Sequence, residues 1–77
     1  MSKQYKTKDI YEASALVASK MKLLNLERGS GFYWFVFQSG DLSRKTSELF
    51  WRNELSVLAK DYADALRTLK DRIFANK

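Results

Sequence analysis

Two apolar runs on either side of a glycine-rich turn dominate the pattern of hydrophobic and polar positions in the chain. The segment over 21–38 reads MKLLNLERGSGFYWFVFQ, and Gly29-Ser30-Gly31 separates its two β-type runs. Glycine takes the positive φ angles that a tight reversal needs, so this segment predicts a β-hairpin. We expect the hairpin to form the centre of the fold, with helices packed against it.

The symmetry of the turn decides which hairpin residues share a face. A symmetric three-residue loop, with side chains alternating along each strand, gives one wholly apolar face and one mixed face. We expect the helices to pack on the apolar face, and the mixed face to be half exposed or covered by another element. The apolar face consists of Leu24, Leu26, Trp34 and Val36, and the mixed face consists of Leu23, Asn25, Glu27, Tyr33, Phe35 and Phe37.

Three segments outside the hairpin have apolar residues at helical spacing. The first covers about 8–20, with Thr7 as its N-cap and Ile10 and Val17 on one side. The second covers about 42–52, after the break at Ser39-Gly40-Asp41. The third covers about 59–74, and its polar face alternates acidic and basic residues at spacings of three and four, which is typical of a solvated helix face.

Short β-type runs at 3–6 and 55–57 predict a first strand and an optional last one. The predicted order is therefore β-α-β-β-α-(β)-α, an α+β fold with a small antiparallel sheet built around the central hairpin and about three helices. With 77 residues the chain has room for a single small domain, whose ordered core we place at about 5–74.

Composition excludes several classes of function. Cysteine and histidine are both absent, which removes thiol nucleophiles, the usual zinc ligands and the commonest general base. We therefore expect no enzyme, no metal and no cofactor. The longest apolar run covers only 32–37, far short of a membrane span, so no membrane association is expected. A polar N-terminus and the lack of cysteine predict a cytoplasmic protein.

Charge favours a polyanionic partner. The formal net charge is +5, from 14 basic and 9 acidic residues, and such an excess raises the affinity for nucleic acid. The leading hypothesis is a small non-catalytic module that is nucleic-acid-associated or regulatory, without a choice between DNA and RNA. Its candidate phosphate contacts are Lys6, Lys8, Arg28, Arg44 and Lys45.

The segment over 28–35, which reads RGSGFYWF, is similar to the signature of the RNA-recognition motif. Ser30 stands where a stacking ring is expected, and Tyr33 stands where an aliphatic residue is usual. That fold would bury Tyr33 and Phe35 and expose Phe32 and Trp34, which is the opposite of the faces predicted above. We interpret the segment as a glycine turn followed by a core strand.

An aromatic surface gives an alternative function. Tyr33 and Phe35 on the mixed hairpin face would anchor a protein interface or a homodimer. Trp51 falls opposite the apolar side of its helix, so it either packs beneath a neighbouring loop or serves as a further anchor. Salt separates the two hypotheses, because phosphate binding weakens as salt rises and an aromatic interface does not.

The chain also resembles a family of short uncharacterised prokaryotic proteins, a domain of unknown function. This resemblance implies a self-contained intracellular domain and no particular activity. The family has a polar cap before its final helix, and Leu58 occupies that position here. The segments that carry the resemblance are Tyr5-x-Thr7-x-Asp9-x-Tyr11-x-Ala13, Leu26-Glu27-Arg28, Phe35-Val36-Phe37 and Asp61-Tyr62-x-x-Ala65-Leu66-Arg67-Thr68-Leu69-Lys70-x-Arg72-Ile73-Phe74.

Overall fold

A computed structural model describes residues 4–76 of the chain. It confirms the predicted α+β class and the order of the main elements. Residue 3, where the first predicted strand begins, lies outside the described residues, and the segment over 55–57 is not a strand. The elements are β1 Gln4–Thr7, α1 Ile10–Ala18, β2 Leu23–Arg28, β3 Tyr33–Gln38, α2 Gly40–Trp51 and α3 Ala59–Ala75.

The three strands form one antiparallel sheet in the order β1-β3-β2. The most apolar strand, β3, therefore lies in the middle and pairs on both edges. The hairpin connects β2 directly to β3, whereas β1 reaches its place on the far edge of β3 through the crossover that contains α1. This arrangement places the hairpin at the centre of the fold, as the sequence predicts.

The register of the hairpin shows that the predicted faces are wrong. Leu26 pairs with Phe35 and Arg28 pairs with Tyr33, which places the centre of the turn between Ser30 and Gly31. The prediction centred the turn on Ser30. A shift of one residue moves the side chains of one strand to the other face relative to its partner, so Leu26 shares a face with Phe35 and not with Trp34.

We call the two faces of the sheet the helix side and the open side. A bulge between Leu23 and Asn25 interrupts β2, and Leu24 beside it is 38% exposed instead of buried. Helices pack on the face that was predicted to be mixed, and the predicted apolar face does not receive them. The helix side carries Tyr5, Thr7, Leu23, Leu26, Tyr33, Phe35 and Phe37, and the open side carries Lys6, Glu27, Trp34 and Val36. Val36 is nevertheless only 1% exposed, so the open side is accessible only in part.

The hydrophobic core lies between the helix side of the sheet and helices α1 and α3. Its fully buried members are Ala13 and Leu16 of α1, Phe35 and Phe37 of β3, and Leu69 of α3. Leu69 thus brings α3 into the same buried cluster as the two phenylalanines of the sheet. The partly buried residues around this centre are Tyr5, Ile10, Val17, Met21, Leu23, Leu26 and Ile73.

Helix α1 begins two residues later than predicted, and its N-cap is Asp9. The Asp9 side chain accepts hydrogen bonds from the backbone N–H groups of Tyr11 and Glu12, at 2.8 and 3.0 Å. Thr7, the predicted cap, stays in β1, where its hydroxyl accepts the Asp9 N–H at 3.1 Å. The carboxylate caps more strongly because it satisfies two N–H groups at the positive end of the helix dipole.

Helices α2 and α3 match their predicted positions closely. Helix α2 starts at Gly40, two residues before the predicted start, and follows Ser39, which has a φ of 57°. Helix α3 starts at Ala59 as predicted; Leu58 at its N-cap position makes no side-chain hydrogen bond. Among the residues that the structure describes, no helix combines the length and the apolar character needed to cross a membrane.

Candidate functional site

The open side of the sheet carries two aromatic rings beside the hairpin turn. Trp34 is the second residue of β3, and Phe32 immediately precedes that strand. Their ring centroids are 5.3 Å apart and their planes make an angle of 82°, an edge-to-face contact. Both residues are only partly buried. The fully buried core lies on the other side of the sheet, so these rings form a partly exposed aromatic pair.

An ion pair crosses the central strand on the same open side. Lys6 pairs with Val36 from one edge of β3, and Glu27 pairs with Trp34 from the other. The Lys6 Nζ donates to Glu27 Oε1 at 2.9 Å, and both side chains are nearly half exposed. Such a pair contributes about 0–1 kcal/mol to stability. Lys6 must leave Glu27 before it can contact a phosphate.

Lys8 and Arg28 lie together at the turn end of the sheet. The Lys8 Nζ is 4.9 Å from the centroid of the Phe32 ring, and the Arg28 guanidinium carbon is 5.9 Å from the centroid of the Tyr33 ring. Both distances are within the range of a cation–π contact. Within residues 4–76 neither cation forms an ion pair. Lys8 is therefore adjacent to the Phe32–Trp34 pair, whereas Arg28 lies beside Tyr33 on the helix side of the sheet.

The other two candidate cations lie elsewhere. Arg44 and Lys45 are exposed residues of α2. This helix packs on the helix side of the sheet, where its Ser47 contacts Tyr5, and the positive charge of Arg44 is close enough to lower the pKa of Tyr5 slightly. The structure thus divides the five predicted basic residues into a turn pair, a lysine held by Glu27, and a separate pair on α2.

The predicted interaction residues do not form one surface. Phe35 is only 1% exposed and belongs to the core, so the hypothesis that it anchors a partner is wrong. Tyr33 is half-buried, and its hydroxyl donates to the Asn76 carbonyl oxygen at 2.9 Å. Trp51 is 59% exposed and is not packed beneath a loop; its ring contacts that of Phe50 at 5.0 Å. Only Trp51 is exposed enough to act as an anchor.

A buried carboxylate joins three elements on the helix side. Glu12 of α1 is 4% exposed and accepts hydrogen bonds from three hydroxyl groups. Tyr5 and Ser47 donate to its Oε2 at 2.5 Å each, and Thr7 donates to its Oε1 at 2.8 Å. Burial, and then the hydrogen bond to Glu12, raises the pKa of Tyr5, which keeps this phenol protonated as a donor. The cluster connects β1, α1 and α2 and is closed to a substrate, so its role is structural.

The acidic residues of α3 form surface pairs. Lys60 donates to Asp64 at 2.9 Å, and the Lys20 ammonium lies 3.7 Å from Asp61. The hydrogen bond to Asp64 raises the pKa of Lys60, which is fully exposed. Within the described part of the chain, no group of acidic side chains is arranged to hold a metal ion. This face of α3 is solvated, as its alternating charges indicate.

Sequence reasoning missed Trp34 and Phe32 as surface residues. The predicted symmetric turn placed Trp34 under the helices, and it assigned Phe32 to neither face. The missing signal lies in the turn itself: a reversal with Ser30 and Gly31 at its tip requires a positive φ only at the second position, and the observed φ of Gly31 is 82°. A prediction with two residues at the tip of the turn, instead of three, would have assigned the faces correctly.

No family model, no curated protein and no solved structure matches this chain. The resemblance to short prokaryotic proteins stays a prediction that rests on the residues quoted for it. Function must therefore be argued from the geometry of the open side and of the turn.

Proposed function

We propose that this protein is a non-catalytic module that binds single-stranded nucleic acid on the open side of its sheet. The observation that carries this proposal is the edge-to-face pair of Phe32 and Trp34, two partly exposed rings. Lys8 lies over Phe32 and Arg28 lies over the neighbouring Tyr33, and neither cation has a carboxylate partner within residues 4–76. Aromatic rings stack on bases of any sequence, and nearby lysine and arginine side chains contact the phosphates.

The roles of the four side chains follow from their places. Trp34 has the larger ring and lies within β3, so it supplies the main stacking platform. Phe32 lies at the turn and extends that platform toward Lys8. Lys8 and Arg28 contact successive phosphates at the turn end. Their contribution depends on salt, because each neutralised phosphate releases condensed counterions.

The RNA-recognition-motif signature gains support from this geometry. Trp34 lies on the open side, and Tyr33 and Phe35 lie on the helix side, which are the faces that the signature requires of these three residues. Phe32 precedes the strand, contacts Trp34 and also lines the helix-side cavity. The sheet here has three strands, whereas that motif has four, and Ser30 still lacks a stacking ring. We therefore propose single-strand binding in general, without sequence preference.

The test is fluorescence anisotropy of labelled single strands of about ten nucleotides, DNA and RNA, with a duplex of the same length for comparison. Trp34→Ala should weaken single-strand binding roughly 5- to 150-fold, the effect of about 1–3 kcal/mol for one stacked base. Trp51→Ala is the matched control, since that tryptophan lies on α2 away from the open side. Equal losses in the two variants, or equal affinity for the duplex, would contradict the proposal.

Salt provides a second readout. Two phosphate contacts predict a slope of about −1.4 in log affinity against log salt for a single strand, or roughly a sevenfold loss between about 50 and 200 mM. Replacing Lys8 and Arg28 together with glutamine should remove most of that slope. Arg67→Gln removes one exposed charge from α3 and should leave the slope unchanged.

The high exposure of Trp51 favours a second candidate, a protein-interaction or homodimerisation module. Trp51 and Phe50 form an edge-to-face pair on α2, and exposed tryptophan is enriched among the residues that dominate interface energy. Sedimentation velocity separates the candidates. A dimer that persists at high salt, ignores oligonucleotides and dissociates on Trp51→Ala would support the interface and contradict nucleic-acid binding.

A further inference from the structure

A cavity opens on the helix side of the sheet, at the turn end of the hairpin. Its volume is about 420 Å³, within the range of small-molecule sites. The segment between β1 and α1, the turn and the last part of α3 surround it. Ile10 of α1 and Ile73 of α3 line the cavity, together with Phe35 of the core. The cavity is thus mostly apolar and is built on rigid elements.

The Phe32 ring forms one wall and is fixed by the turn. A Cβ at Gly29 would lie 2.5 Å from Phe32 Cε1 and 2.7 Å from Cζ, so the ring packs where only glycine leaves room for it. The Gly29 N–H also donates to the Phe32 carbonyl oxygen at 2.7 Å. Tyr33 adds a second ring, and its hydrogen bond to Asn76 ties the end of α3 to the sheet.

The charged residues around the cavity are all positive. Lys8 and Arg28 line it, and no acidic residue does so in the part of the chain that the structure describes. Each cation lies against an aromatic ring and has no ion-pair partner among those residues. An apolar cavity with two cations selects for a molecule that has a flat apolar body and one anionic group.

We propose that this cavity binds a small aromatic anion. The aromatic body enters between Phe32, Ile10 and Ile73, and a carboxylate or phosphate stays at the mouth with Lys8 and Arg28. Arg28 can hold either group with two parallel hydrogen bonds. The cavity shares Phe32, Lys8 and Arg28 with the proposed nucleic-acid surface and differs from it in Trp34, which does not line the cavity.

The test is a titration followed by ¹H–¹⁵N NMR, with phenylacetate, phenyl phosphate and the neutral benzyl alcohol as probes. Saturable shifts at Gly29, Gly31 and Ile73, with either anion bound at least about tenfold more tightly than the alcohol, would support the site. Phenylacetate and phenyl phosphate together decide which anionic group is preferred. No saturation with either anion, or equal affinity for the alcohol, would overturn the proposal.

Variants connect the shifts to the residues that form the cavity. Arg28→Gln should weaken the anions about tenfold and leave benzyl alcohol unchanged, since one charged hydrogen-bond partner is lost. Arg67→Gln, an exposed arginine on α3, is the matched control and should change neither. Gly29→Ala should weaken all three probes, because the new methyl group displaces the Phe32 wall. If Arg28→Gln and Arg67→Gln changed the affinity for the anions equally, the assignment of Arg28 to the anion site would be overturned.

Trp34→Ala separates this site from the proposed function. Anion binding should fall much less than single-strand binding in that variant, because Trp34 contacts the cavity only through the Phe32 ring. If oligonucleotides fail to bind the wild-type protein, the small anions should still titrate the amides at the turn. If the anions fail to bind while oligonucleotides bind, the cavity proposal alone is overturned.

Discussion

Gly29 and Phe32 define the hairpin turn through two contacts with each other. The Gly29 N–H donates to the Phe32 carbonyl oxygen at 2.7 Å, and the Phe32 ring packs so close to the Gly29 Cα that a Cβ there would lie 2.5 Å from the ring. Ser30 and Gly31 occupy the tip between them. The same turn sets the register of the sheet, holds Phe32 beside Trp34 and brings Lys8 over the ring.

Gly29→Ala should move the Phe32 ring and change stability little. The nearest atoms to the new methyl group belong to the outer part of a side chain that can rotate, and Gly29 does not have a positive φ. We expect a loss of less than about 1 kcal/mol in the free energy of unfolding, together with changed ring-current shifts near Phe32 and Trp34. Urea unfolding and NMR measure the two effects. Unchanged shifts would show that the ring does not pack on Gly29.

Gly31→Ala should lower the stability of the protein and leave the Phe32 ring in place. Nothing lies within 4 Å of a Cβ at Gly31, but its φ of 82° is in the left-handed region. An L-residue costs roughly 1–2 kcal/mol there, so urea unfolding should show that loss while the Phe32 shifts stay as in the wild type. Gly31→Asn should recover part of the loss, because asparagine tolerates this region better. If Gly31→Ala left the free energy of unfolding unchanged, the left-handed conformation of Gly31 would be contradicted.

Phe35→Ala and Trp34→Ala should differ strongly in stability, because their neighbouring positions in β3 face opposite sides of the sheet. Phe35 packs with Leu16 and Leu69 and is 1% exposed, so its truncation should cost about 3–5 kcal/mol. Trp34 lies on the open side, so its truncation should lower the free energy of unfolding distinctly less. Chemical denaturation of both variants provides the comparison; if Phe35→Ala is too unstable, Phe35→Leu replaces it. A larger loss of stability in Trp34→Ala than in Phe35→Ala would instead support the faces expected from a symmetric turn.

Most of the fold could be predicted because the helix-forming and strand-forming segments differ in the period of their apolar residues. The α3 bounds and the hairpin both follow from period and turn residues. The faces could not be predicted, since they depend on whether the tip contains two residues or three, and Ser30 with its flanking glycines fits either count. The bulge beside Leu24 adds a second shift that no sequence pattern indicated.

The candidate site could be predicted only in part for the same reason. Lys8 and Arg28 were identified by charge, and the structure brings them together at the turn. Lys6 and Glu27 are 21 residues apart, so their ion pair depends on the register of both outer strands with β3. The cluster around Glu12 was missed because a glutamate in the first turn of a helix usually serves the helix dipole, and its hydroxyl partners come from β1 and α2.

Glu12→Ala should destabilise the protein by about 2–4 kcal/mol. Three hydroxyl groups lose their acceptor, and a buried donor without a partner costs about 1–3 kcal/mol, partly recovered because Tyr5 can turn to Ser47 at 3.0 Å. Glu12→Gln should cost less than half as much, because its amide oxygen can still accept from Tyr5 and Ser47. Glu48→Ala, on the exposed face of α2, is the control and should stay within about 0.5 kcal/mol of wild type. Equal losses for Glu12→Ala and Glu12→Gln would contradict an acceptor role.

Ionisation of Tyr5 should lower the stability of the protein as the pH rises above about 10, the pKa of tyrosine in an unfolded chain. Burial is the main cause that raises the Tyr5 pKa in the folded state, followed by its hydrogen bond to Glu12, and the hydrogen bond to Ser47 and the charge of Arg44 oppose this shift. The unfolded chain therefore loses this proton at a lower pH than the folded one. The Tyr5 contribution is complete below the unfolded pKa and is lost as the pH rises through the folded pKa.

Unfolding free energies of the wild type and of Tyr5→Phe, measured in urea between about pH 8 and pH 11, isolate this effect. All other titrating groups are common to the two proteins, including Tyr62, whose pKa is also raised by burial. Tyr5→Phe should be less stable at pH 8 by roughly 1 kcal/mol, the value of one lost hydrogen bond, and its stability should fall less steeply above pH 10. Parallel curves for the two proteins would show that the Tyr5 hydroxyl is not held at Glu12, and that a different group accounts for any alkaline unfolding.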